Sequence, residues 1–134
     1  MRAMPIAQAH DGAAAPLVLL AGEAPEGAAE LLREAGCRVR SAATPAALLR
    51  LAGSEPLPQL ILLGDVVGDQ PGLSLLSRLR DDAATRAIPI LFVAAGDEEL
   101  ALALGASDCL SLPLRPLVLL ARVQTQLRLA QAGG

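Results

Sequence analysis

Few residues in this chain have chemical potential, and most of them follow short apolar runs. Asp65 stands behind Leu60–Leu63 and Gly64, with Asp69 four residues on, and Glu23 stands behind Leu17–Leu20 and Ala21-Gly22. Apolar runs this short, without polar alternation, read as strands covered on both faces. Ligands and chemistry in sheets of such strands lie just beyond the carboxyl ends of the central ones. A site is therefore to be sought at Gly64-Asp65 and at Gly22-Glu23. Carboxylates there are potential oxygen ligands for a cation.

Other reactive residues lack the partners their chemistry needs. Gly22 to Gly27 fits the GxxxxG spacing of a phosphate-cradling loop, but Ala28-Ala29 follow where such a loop needs Lys and then Ser or Thr. No nucleotide site is expected there. His10 lies alone in a stretch rich in Ala, Gly and Gln, with no companion ligand nearby. Cys37 and Cys109 sit in separate apolar segments and form no CxxC pair. They read as buried thiols, which suits a reducing cytoplasm.

The chain of 134 residues is long enough for one domain with a real core, and 53% of it is hydrophobic. A net charge of −3 argues against a nucleic-acid surface. All 11 basic residues are Arg, and Phe92 is the single aromatic residue, so base stacking is not available. The apolar runs fall well short of the roughly 20 residues of a membrane helix. No cofactor is expected.

Residues 1–15 read as a flexible tail, 16–131 as the domain and 132–134 as a short C-terminal tail. After the first strand, Pro25 to Ala35 has helical periodicity, with Ala28, Leu31, Leu32 and Ala35 on one face. Gly36 stops it. Cys37–Ala42 alternates as a half-exposed edge strand does. Thr44-Pro45 opens a second helix with a hydroxyl cap and a first-turn proline, and Gly53 closes it. The central strand follows. A third helix over Gly72–Arg80 would place Leu73, Leu76 and Leu79 on its core side. Ile88–Val93 predicts a buried strand, Glu98–Leu104 a short helix, Cys109–Leu112 a last strand, and Pro116 to about Gln131 a last helix. Alternation of strands and helices with short connections predicts an α/β fold, a doubly wound five-stranded parallel sheet.

Four stretches resemble the receiver domain of bacterial response regulators, over about residues 16–130. PQLILLGDVVGDQPGLSLLSRLR is similar to that family's third strand, loop and third helix, and DDAATRAIPILFVAA to its fourth strand. ALGASDCLSLPL is similar to its GAD-x-y-L-x-K-P stretch, and LLARVQTQLRL to its last helix. The resemblance implies the flavodoxin-like receiver fold, strand order 2-1-3-4-5, and a cis peptide at Leu112–Pro113. It also implies a phosphoryl-accepting Asp after the third strand, an acidic pair for Mg²⁺ after the first, a hydroxyl after the fourth and a Lys before the last proline. Those positions fall on Gly64, on Ala21 and Gly22, or on Gly22 and Glu23 if Pro25 sets the register, on Ala94 and on Leu112. Each position has changed from the family's pattern, and no Lys exists to substitute.

The expectation is a pseudo-receiver, not an enzyme, that works in bacterial signal transduction by binding a protein partner or a second copy. An output domain in a longer parent chain is a further partner the resemblance implies. Two other readings remain: a receiver phosphorylated at Asp65 or holding a metal on Glu23, Asp65 and Asp69, or a small-molecule site in the vacated pocket. In the last helix, Leu120, Val123 and Leu127 would form the core stripe. Leu117, Leu119 and Leu129 would then be left for association.

Overall fold

The computed structural model of the protein describes residues 15–23 and 27–133. Five parallel strands, β1 (Leu17–Ala21), β2 (Arg38–Ala42), β3 (Leu60–Gly64), β4 (Ile90–Ala94) and β5 (Asp108–Ser111), form one sheet in the order 2-1-3-4-5. The helices are α1 (Ala28–Glu34), α2 (Pro45–Ala52), α3 (Gly72–Asp81), α4 (Glu98–Ala103) and α5 (Pro116–Gly133). The three inner strands are the continuous apolar runs. Edge strand β2 carries exposed Arg38 and Arg40, charges that discourage pairing with another sheet.

Successive side chains on a strand point to opposite faces, and this divides the core in two. Leu19, Ile61, Leu63, Ile90 and Phe92 pack with α2, α3 and Ala101 of α4 on one face. Val18, Leu20, Leu60, Leu62, Leu91 and Val93 pack with α1 and α5 on the other. Thr44 caps α2 as its sequence implies, its Oγ1 accepting from the Ala47 amide at 3.1 Å.

Several boundaries depart from the expectation. β4 starts at Ile90, because Ile88 turns back to donate its amide to the Thr85 carbonyl. β5 runs one residue earlier than Cys109–Leu112. α3 buries Leu75, Leu76 and Leu79, with Leu73 only half covered, because its face is set by the Leu75–Leu79 pair one turn apart. α5 continues to Gly133, so the short C-terminal tail placed at 132–134 is mostly helix. The proposed N-terminal tail and His10 lie outside the described residues but for Ala15. Leu112–Pro113 is cis, as the resemblance implied, and so is Glu55–Pro56, which was not foreseen.

Arg80 ties α3 to two loops. Its Nε donates to the Gly105 carbonyl at 2.8 Å, and Nη1 to the carbonyls of Arg86 at 2.8 Å and Ile88 at 2.6 Å. A single planar fork serves carbonyls on both sides of β4, a geometry an ammonium does not reproduce. Arg80→Ala should lower stability by about 2 kcal/mol, with the denaturant midpoint falling at unchanged slope, and Arg80→Lys should recover only part of the loss.

The Cys37 thiol is buried, and burial pushes it up to about 11; burial also raises half-exposed Cys109, helped by Asp108 and Glu98. A free thiol ionises near 8.5, so the neutral buried thiol contributes stability that is full below about pH 8.5. That contribution is lost as pH rises towards the folded value. With no Lys or Tyr in the chain, the two thiols are the side chains that titrate in this window. Thermal midpoints should fall between about pH 8.5 and pH 11, and Cys37→Ala should remove most of that slope.

Candidate functional site

The expected site corner forms where the carboxyl ends of β1, β3, β4 and β5 meet. It opens into a cleft of about 880 Å³ lined by Gly22, Glu23, Gly64, Asp65, Val93 and Leu112, among others. Gly22, Gly64 and Leu112 therefore line one cleft. Ala21 and Ala94 end β1 and β4 beside it but are 3% and 1% exposed, packed in the core. Val93 takes the lining place that the sequence reading assigned to Ala94, because β4 presents alternate residues to alternate faces.

The three acids do not converge. Glu23 and Asp65 are exposed and share the cleft, while Asp69 is exposed and outside its lining. Among the described residues, no group of three or more His, Cys, Asp or Glu is placed to hold a metal ion. Among the described residues, the cleft lining carries the carboxylates of Glu23 and Asp65 and no cationic side chain.

The connection from β3 to α3 is more ordered than the plain loop its sequence suggests. Val66–Val67 pairs antiparallel with Gln70–Pro71, and Gly68 at the tip has φ of 61°. Val67 is fully buried, and the Gly72 amide closes the loop on the Asp65 carbonyl at 2.7 Å. The Gly68-Asp69 pair, a two-residue hairpin turn signal, is the cue the sequence offers. A Cβ on Gly72 would collide with the Gly64 carbonyl and sit 3.0 Å from Phe92, so α3 packs directly on the end of β3.

The exposed leucines of α5 need correction. Leu119 is fully buried and belongs to the core stripe with Leu120, Val123 and Leu127. α5 meets both the sheet and α1, and this wider footprint takes in one more residue per turn. Leu117 and Leu129 are 76% and 59% exposed. They are 12 residues apart, hence about 120° apart around the helix. Val118, which is also exposed, shares the face of Leu129 instead.

Comparison with known proteins points one way. The receiver domain of the sensor histidine kinase PA1611 from Pseudomonas aeruginosa superposes with a TM-score of 0.74 at 26% identity, covering 85% of this chain and 98% of that one. A CheY-like response regulator receiver domain protein from Methanospirillum hungatei superposes with a TM-score of 0.77 at 21% identity, covering 90% and 99%. This is a receiver fold. Kinship with response-regulator receiver domains is supported by sequence as well. The transcriptional regulatory protein GltR of Pseudomonas aeruginosa is 36% identical over 104 residues, 75% of this chain and 43% of GltR. The response regulator PleD of Caulobacter vibrioides is 37% identical over 76 residues, 54% of this chain and 17% of PleD. The chain thus spans less than half the length of these relatives. No family model matches it.

Within this receiver fold, backbone packed on backbone should make Gly72 intolerant. Gly72→Ala is expected to cost about 3 kcal/mol, read by chemical denaturation, whereas Leu112→Lys on the exposed cleft rim should change stability by less than about 0.5 kcal/mol.

Proposed function

We propose that this receiver domain is a pseudo-receiver that works by protein contact, without phosphorylation, in bacterial signal transduction. One observation carries the reading. Gly22, Gly64 and Leu112 line the corner where phosphoryl transfer would need an acid, an acceptor and a cation. Glu23 and Asp65 contribute negative charge there, with no Arg among the described lining residues and no Lys in the chain to neutralise a phosphoryl group. Asp65 is exposed and one residue beyond the strand end. Regulation then comes from partner binding or abundance, not from a covalent switch. Incubation with acetyl phosphate, or with beryllofluoride and Mg²⁺, should leave intact mass and amide NMR shifts unchanged. A stoichiometric adduct with shifts at residues 21–23 and 64–66 would make Asp65 an acceptor and end the pseudo-receiver reading.

The contact surface is best sought on α5. Leu117, Val118 and Leu129 are exposed there, and Leu100 and Leu102 are exposed on α4. The partner is a second copy of the domain, another protein, or an output domain of a longer parent chain. Light scattering at rising concentration should show self-association that Leu117→Glu/Leu129→Glu abolishes, with stability changed by less than about 0.5 kcal/mol because both positions are exposed. A monomer at every concentration removes the self-association arm.

A further inference from the structure

We infer that the free edge of β2 is a docking site for an acidic extended segment of a partner protein, which adds alongside β2 as a further strand. The inference goes beyond the pseudo-receiver reading and uses neither the cleft nor α5. β2 ends the order of the five-stranded sheet. The Arg38 amide donates to the Pro16 carbonyl at 2.8 Å, and the Ala42 carbonyl accepts from the Gly22 amide at 2.9 Å. Residues 38, 40 and 42 thus turn their main-chain groups towards β1, and the residues between them turn theirs the other way. Val39 and Ser41 each present an amide and a carbonyl to the open edge. Two donors and two acceptors at a repeat of roughly 6.6 Å match the main chain of an added strand.

Side chains decide which strand is admitted. Ala42 packs in the layer under α2, and strand alternation puts Arg38 and Arg40 on that same face. Both are exposed. Neither β2 nor α2 contains an acid, and among the described residues the one ion pair is Arg122–Asp108. Two unneutralised guanidinium groups therefore border open main chain. A second copy of β2 would set Arg against Arg, and like charges directly opposite are destabilising. Carboxylates at alternate positions of an added strand would instead meet these arginines at cross-strand distance. On the other face Val39 is half-buried against the layer under α1, so an apolar residue fits between the acids. The edge selects an acid-apolar-acid segment and rejects its own copy.

The probe is the capped hexapeptide Thr-Glu-Val-Glu-Val-Thr, titrated into the full chain and followed by amide NMR. Saturable shifts should centre on residues 38–42, with amide exchange slowed at Val39 and Ser41, whose N–H groups become paired. Affinity should fall at least about tenfold for the analogue with Gln in place of Glu, and as far for Arg38→Gln/Arg40→Gln. It should also fall as salt rises. Arg78→Gln, exposed on α3, should bind as the unsubstituted protein does. The Gln analogue reads the same charges without touching the protein, so the test stands even if the double variant folds poorly. No saturation at millimolar peptide would overturn the inference. So would shifts centred elsewhere, equal affinity for the Gln analogue, or shifts at 39 and 41 that appear on concentrating the protein alone. A phosphodonor adduct would end the pseudo-receiver reading and leave this edge as it is, so the two fail separately.

Discussion

Main chain pressed against main chain at the carboxyl edge of the sheet is the constraint on which the rest of the structure depends. Gly72 lies on the Gly64 carbonyl and Gly22 under the Val66 carbonyl, with no room for a Cβ at either place. These approaches fix how closely α3 follows β3 and how far the intervening hairpin folds back over β1. Phe92, the single aromatic residue, fills the space beside Gly72 and joins this edge to the core. Glu23 and Asp65, which follow β1 and β3, share the cleft at this edge.

The same edge separates scaffold from site. On the scaffold side, two apolar layers enclose the sheet, and strand alternation delivers side chains to each. Arg80 closes the opposite flank with hydrogen bonds to loop carbonyls. Neither apolar layer nor the Arg80 contacts use Glu23 or Asp65. The remaining chemical asymmetry of the surface is apolar, with exposed leucines on α4 and α5. The proposed role as a contact module follows from that asymmetry.

The sequence by itself determined the sheet and most of its helices. Leu60–Leu63 and Leu17–Leu20 have no polar alternation and no other use than burial on both faces, and Thr44-Pro45 and Gly36 mark helix ends by local chemistry. It also determined that the chain has no Lys, which needs no geometry. Only the tertiary structure decided which of the named residues meet. Gly22, Gly64 and Leu112 converge on one cleft while Ala94 is packed away behind Val93, because a strand's alternate residues go to opposite faces. Leu119 was assigned to the surface and lies in the core, because a helix packed on both a sheet and a neighbouring helix buries a wider stripe than its own periodicity shows. The hairpin at Val66–Pro71 was hidden for a related reason. Two-residue strands carry almost no periodic signal, and the fold of this one is set by the long-range burial of Val67 and by the space left above a glycine at position 22.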